Sequence, residues 1–375
     1  MTNKNQKFKK LIQNLPAKKE CHSLEISEGS ILVTAAGFED RALVASEIIV
    51  SDKKGHALIL KYKPYDKRNK LKVVIEALKK KCLKIDENKD VIEFNRYDPE
   101  IFAAVLQKRL VQKKVQRVIL DISAMSKLAQ LLCLNVCWGL NLDVSVFYAE
   151  AAKKGPEEKE FEVARENKNL HQPSIQIYTG VHDVIHVTGL SSVAMQGQPS
   201  AAIVFMSFNE LLTQSLLNTV YPSRLFLINS RSPKWSWREK AIAWIHEQLR
   251  GEWQESDNPL NKQAENEIRL PQRSVSTVDY KETVQVLLEL YWQLSADHRI
   301  LLAPTGTKIQ TLGCFLVKAM HPDIHIEYPT PKGFLDTYSK GIGKKWLVEF
   351  GPLKDKINFL RSEERKLLLE IDTKV

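Results

Sequence analysis

The chain has 375 residues, 43% of them hydrophobic, enough for two ordinary domains or one domain built from two similar halves, and too apolar for disorder outside the ends. A formal net charge of +10 favours anionic partners such as nucleotides, nucleic acid or acidic protein. Five scattered cysteines do not suggest a disulfide framework, and no segment approaches the ~18 consecutive apolar residues of a membrane span, so a reducing cytoplasm and no membrane are expected.

Residues 1–29 read as a basic N-terminal helix or extension, without the apolar run of a signal peptide. From residue 30 the pattern alternates. Strands are predicted at "SILVTAA", "HALILKY", "DVIEF", "RVILD" and "LDVSVFYAE". Helices are predicted between them at "DRALVASEIIV", "KLKVVIEALKKKCLK", "DPEIFAAVLQKRLVQKK" and "SKLAQLLCLNVCWG". Near-continuous β-branched strands alternating with amphipathic helices imply a mostly parallel sheet covered on both faces, a Rossmann-like unit over 30–170. Residues 171–200 read as a linker with a candidate strand pair, "SIQIYTG" and "DVIHVTG".

A second Rossmann-like unit is expected over 201–350. Its strands are "AAIVFMSF", "SRLFLIN", "EIRLPQ", "RILLA" and "DIHIEYP"; its helices are "NELLTQSLLNTV", "WREKAIAWIHEQLRGEW" and "DYKETVQVLLELYWQLSAD". It lags the first by roughly 170–180 residues, a repeat of pattern more than of residue identity. A closing helix is expected over 351–375. The fold class is therefore α/β, two tandem Rossmann-like units arranged as a pseudo-dimer.

Ligands of parallel α/β sheets bind beyond the carboxyl ends of strands, where helix N-termini collect. Three loops occupy such positions. The first, "TAAGFEDRA", offers Gly37, Phe38, Glu39, Asp40 and Arg41. Arg41 would meet a phosphate, Phe38 a base, and a carboxylate a ribose or amino group; equally, Glu39 and Asp40 would simply favour the helix start. The second, "DISAMSK", offers Asp121, Ser123, Ser126 and Lys127. The third, "PTGTK", offers Thr305, Gly306, Thr307 and Lys308: two hydroxyls, a glycine admitting close backbone approach, and a charge at a helix N-terminus. The plain alternative is a Thr cap and a Gly turn. "MSFNELLTQ", which matches the first loop, lacks its Gly and Arg but keeps Phe208, Asn209 and Glu210. Trp235 and Trp237 beside Lys234 and Arg238 suit a core or interface more than base stacking. His182 and His186 share a strand face without a third ligand, and no metal site or cofactor is expected.

A strand, then hydroxyl-Gly-Thr-Lys, then a helix, late in a Rossmann-like unit, resembles the CARF family of nucleotide sensors. It also resembles the related SAVED sensors of prokaryotic defence systems, in which two CARF-like units share one chain. The resemblance is architectural over most of residues 30–330, while the motif covers only Thr305–Lys308. It implies ligand contacts from "GFEDRA" and "PTGTK", with "DISAMSK" as a diverged partner. Thr305 stands where that family's loop commonly has its first glycine, and no attached nuclease is expected within these residues.

The expectation is a sensor or regulatory subunit that recognises a nucleotide or cyclic oligonucleotide in anti-phage defence, working with a separate effector protein. The first alternative is an enzyme in the same cleft, opening a phosphodiester ring or a glycosidic bond with Glu39, Asp40 or Asp121 as acid or base and Lys308 and Arg41 stabilising phosphate charge. The second is a nucleic-acid-binding or interaction subunit that uses the positive charge.

Overall fold

The computed structural model describes residues 3–51, 55–169, 175–247, 249, 273–335 and 338–372. The chain divides into two compact α/β units, one of Gln13–Lys153 with Ser339–Val375 and the other of Met1–Ile12 with Lys154–Tyr338. We call them the first and second unit. The division by contact thus assigns 13–29 and 339–375 to the first unit, whereas the sequence pattern draws its limits at 30 and 170.

Helix α1 (Asn3–Gln13) precedes the short strands β1 (Lys19–Glu20) and β2 (Leu24–Ile26). Strand β3 (Ser30–Ala35) is buried at every position, as its mostly apolar run, broken by Ser30 and Thr34, suits. The expected helix over "DRALVASEIIV" is shorter: a 3-10 turn (Asp40–Leu43) leads into α2 (Val44–Ile48), and Ile49–Ser51 becomes β4, paired in parallel with β2. The β-branched pair Ile49-Val50 suits a pleated surface better than a helix end. There follow β5 (His56–Lys63), α3 (Leu71–Lys80), α4 (Glu87–Asp90), β6 (Val91–Asn95) and α5 (Glu100–Gln112). Then come β7 (Arg117–Asp121), α6 (Lys127–Gly139) and β8 (Asp143–Lys154). Cys133 and Cys137 lie buried on α6, and burial pushes both thiols up, Cys137 to about 12, which makes them apolar filling.

In the second unit, α7 (Glu158–Glu166) forms from the charged stretch "EKEFEVARE", and β9 covers Val181–Ile185. Next are β10 (Ser200–Phe205), α8 (Glu210–Val220), β11 (Arg224–Arg231), α9 (Trp237–Ile245) and β12 (Arg273–Ser276). The predicted strand "EIRLPQ" lies outside the described residues. α10 (Tyr280–Leu294), β13 (Arg299–Ala303), α11 (Lys308–Met320), β14 (His325–Ile326) and β15 (Tyr328–Pro331) complete the unit. The candidate strand pair does not close on itself. Tyr178 bridges to Phe334, and β9 pairs antiparallel with β15, Ile185 opposite Tyr328. Both segments therefore run along one distant partner in place of forming a hairpin.

The chain then returns to the first unit with β16 (Ser339–Pro352) and α12 (Leu353–Asp372). Strand β16 enters the first sheet between β1 and β8, giving the order β1-β16-β8-β7-β3-β5-β6. The second sheet runs β12-β11-β10-β13-β14, parallel throughout. Its opening strand β10 sits centrally, with β11 and β12 to one side and β13 and β14 to the other. The first sheet repeats this about β3, with β5 and β6 on one side and β7 and β8 on the other. The pattern repeat is thus also a repeat of topology. Among the described residues no helix is long and apolar enough to cross a membrane.

Helices α10 and α11 approach closely at Gly313, where an added Cβ would meet Thr283 Cβ at 2.7 Å and the Tyr280 carbonyl oxygen at 2.9 Å. Gly313→Ala should therefore cost about 1–3 kcal/mol by overpacking. Gly139→Ala, with nothing within 4 Å, should be neutral or stabilise by up to about 1 kcal/mol. Urea denaturation of the two variants checks both expectations.

Candidate functional site

In each sheet the strand order reverses beside the opening strand, and a crevice at such a switch point is where ligands of this architecture sit. The predicted loops lie there. In the first unit the switch falls between β3 and β7, whose carboxyl ends carry 36–41 and 122–127. In the second it falls between β10 and β13, whose ends carry 206–209 and 304–308.

The first unit's polar residues are heavily engaged with one another. Asp121 is fully buried; its Oδ2 accepts the Thr34 hydroxyl at 2.9 Å, tying β3 to β7, and its Oδ1 accepts the Ser123 N–H at 2.9 Å. Ser123 Oγ accepts the Ala149 N–H at 2.9 Å, which ties in β8. Arg41 and Glu39 form a buried ion pair: Nε and Nη2 of the guanidinium both donate to Glu39 Oε2, Nη1 donates to the Ala149 carbonyl at 3.0 Å, and Ser339 Oγ adds a bond to the same carboxylate at 2.5 Å. Gly37 packs against the other loop, since a Cβ there would lie 3.1 Å from the Ala124 carbonyl oxygen. The glycine thus serves contact between the loops. Ser126 caps α6, its Oγ accepting the Ala129 N–H at 3.2 Å, and its own N–H donates to the Tyr62 hydroxyl at 2.6 Å. Lys127 follows as the first residue of the helix.

Besides Tyr62, three more neighbours come from the basic run "KYKPYDKRNKLK", which starts in the last residues of β5 and whose charges suggest a solvated face. The Arg68 guanidinium lies 4.6 Å from the centre of the Phe38 ring, held there by Asp66, and Lys70 Nζ pairs with Asp40 at 2.9 Å. The signal that could have found them is topological: β5 is parallel to β3, so the loops after both emerge at one edge.

In the second unit, the Thr305 hydroxyl donates to the Phe205 carbonyl, joining the ends of β13 and β10. Thr307 and Gln310 form a reciprocal capping box: Thr307 Oγ1 accepts the Gln310 N–H at 3.3 Å, and Gln310 Oε1 accepts the Thr307 N–H at 2.7 Å. Thr307 Oγ1 also donates to the Thr277 carbonyl at 3.2 Å. A Cβ on Gly306 would displace the capping amide oxygen of Gln310 and lie 3.1 Å from Phe205 Cβ, so glycine leaves the capping box its room. The plain Thr-cap reading of the sequence therefore describes Thr307 well. Lys308 opens α11 with only 9% of its surface exposed, so its stem packs along the fold.

The matching loop is sparser in bonds. Asn209, the N-cap residue of α8, makes no side-chain cap bond and is 4% exposed, and neither its Nδ2 nor Ser207 Oγ has a partner among the described residues. Phe208 lies under the Arg238 guanidinium, 4.1 Å from ring centre to Cζ. Arg238 donates to three successive carbonyls, those of Lys154, Gly155 and Pro156, at 2.9–3.2 Å, and burial lowers its pKa to about 10. Trp237 stacks on Phe161, a packing role, while Lys234 covers Trp235 at 4.5 Å.

No family model matches the chain, and no curated protein matches it.

Removing the guanidinium in Arg41→Ala would strand the Glu39 carboxylate in a buried place, and should cost about 3–5 kcal/mol in urea denaturation. Asp40 gives a pH test. The Gly341 N–H and then Lys70 hold its carboxyl below the usual 3.8. With the folded pKa depressed, its contribution is present above the unfolded value and disappears as pH falls through the folded one. Asp40→Asn should thus flatten the stability–pH curve below about pH 4, and only slightly, since the side chain is half exposed.

Proposed function

We propose that the chain is a sensor or regulatory subunit that binds a nucleotide or cyclic oligonucleotide through its switch-point loops, serving prokaryotic anti-phage defence with a separate effector. The observation that carries this reading is a recurrence. In both units a 13-residue helix starts at the switch point with a capping hydroxyl followed by lysine, Ser126-Lys127 on α6 and Thr307-Lys308 on α11. A cation at a helix N-terminus opposes the helix dipole, and an anion held in front of each such helix suits that placement. Phe38 under Arg68 supplies an aromatic face for a base beside the first such helix. The positive net charge agrees with an anionic ligand.

The same geometry favours binding over turnover. The acid/base candidates Glu39, Asp40 and Asp121 each hold internal hydrogen bonds or ion pairs, and that engagement suits support of a loop better than proton transfer.

Thermal shift and calorimetry with cyclic di-, tri- and tetranucleotides, ATP and NAD test the proposal. Lys308→Met and Lys127→Met, which keep most of the stem, should each lower affinity for the stabilising ligand by about 1.5–3 kcal/mol, or roughly ten- to hundredfold. Folded protein that none of these ligands stabilises would sink the reading. Binding to DNA or RNA that falls steeply with salt and ignores both lysine variants would replace it with the nucleic-acid alternative.

A further inference from the structure

We propose that His186, His325 and Glu327 of the second unit form a binding site for a divalent first-row transition-metal ion, of which Zn2+ fits the donors best. The sequence pairs His186 with His182 and finds no third ligand; the third and second ligands come from far along the chain. His325 opens β14, and Glu327 follows two residues later, on the same side of an extended chain. The antiparallel register sets Ile185 opposite Tyr328, which carries the next residue, His186, opposite Glu327. One donor atom from each of the three lies within 4.8 Å of the others.

The charge arrangement is what points to a cation. Glu327 is 8% exposed and His325 1% exposed. The carboxylate's Oε1 faces His325 Nε2 at 2.9 Å and its Oε2 faces His186 Nδ1 at 3.5 Å. No lysine or arginine pairs with Glu327 among the described residues. A buried carboxylate in contact with two imidazoles, whose ring centres are 4.4 Å apart, is a donor set of the kind that holds Zn2+. Zn–N and Zn–O bonds of about 2.0–2.2 Å in a tetrahedron separate the ligand atoms by about 3.3–3.5 Å. The two nitrogen–oxygen contacts, 3.5 and 2.9 Å, run to different oxygens of Glu327, so a shared ion requires the three side chains to close from within 4.8 Å onto one carboxylate oxygen, a rotamer-scale adjustment. Two imidazoles disfavour Mg2+ and Ca2+, which prefer oxygen donors. His186, 60% exposed at its side chain, leaves the fourth coordination position on the solvent side.

Binding has to move one proton. His325 Nδ1 accepts the Ser192 N–H at 3.0 Å, which puts the imidazole proton on Nε2, where it is donated to Glu327. A metal on Nε2 takes that lone pair. The proton passes to Nδ1, the ring stays neutral, and two donors then face each other at Nδ1 and Ser192. The Ser192 amide must turn away. It lies in a stretch of neither helix nor strand, between the 3-10 turn Thr188–Leu190 and β10, so the turn disturbs no ladder.

Titration with Co2+ as a spectroscopic probe, followed by displacement with Zn2+, tests the site on the full chain. The expected result is a tetrahedral-type Co2+ absorption at one ion per chain, with Zn2+ raising the melting temperature. His186→Ala, at an exposed ring, should keep the fold and lower Co2+ affinity by more than the roughly 10–100-fold typical of an outer-shell change. His182→Ala should leave affinity unchanged. Hydrogen exchange at the Ser192 amide should quicken with Zn2+. Absence of the Co2+ band, or equal affinity in wild type and His186→Ala, overturns the site. A Ser192 amide indifferent to bound Zn2+ overturns the proton shift.

Discussion

A parallel sheet ends in a row of carbonyls at its carboxyl edge, and what satisfies them decides whether the loops beyond are fixed or loose. In the second unit the Thr305 hydroxyl takes the Phe205 carbonyl, Ser230 Oγ takes that of Met206 at 3.1 Å, and Gln310 Nε2 reaches that of Ser276 at 3.4 Å. Gln310 does this while capping its own helix through Thr307. One amide therefore binds the start of α11 to the ends of β11 and β12. Buried networks of this kind hold backbone atoms in place only when each member is satisfied. Lys308 inherits its position from that network.

The first unit reaches a similar result with charge. Thr34 and Asp121 tie the two strands of the switch point, and the buried Arg41–Glu39 pair joins the loop after β3 to β8 and to Ser339. The two units share a topology and differ in chemistry at the corresponding place. Where the first has Phe38 beneath Arg68, from the loop after β5, the second has Phe208 beneath Arg238, a guanidinium supplied from α9. A cation recurs near each switch point, but from different elements of the chain.

The alternation of elements is legible in the sequence because it is local. Strand cores such as 31–33 and 300–303 are buried on both faces and read as apolar runs, and α6 and α11 begin at a hydroxyl that does cap. The switch-point loops are legible for the same reason, since a small-residue break after a buried strand is a local signal. Partners are less so. Nothing near Val181–Ile185 announces that it will pair with Tyr328–Pro331, so the approach of His186 to Glu327 is hidden. Arg68 is hidden by the company of other basic residues, and the burial of Lys308 by the convention that a charged helix start is exposed.

The placement of β16 has a consequence for how the protein is made. The strand that lies against β8 is translated only after the whole of residues 154–338. At about 5–20 residues per second, β8 waits on the order of ten seconds or more on the ribosome as an open edge of an almost finished parallel sheet. The later-encoded unit is then the first whose own residues have all emerged. The earlier-encoded one closes last, when the chain returns to it.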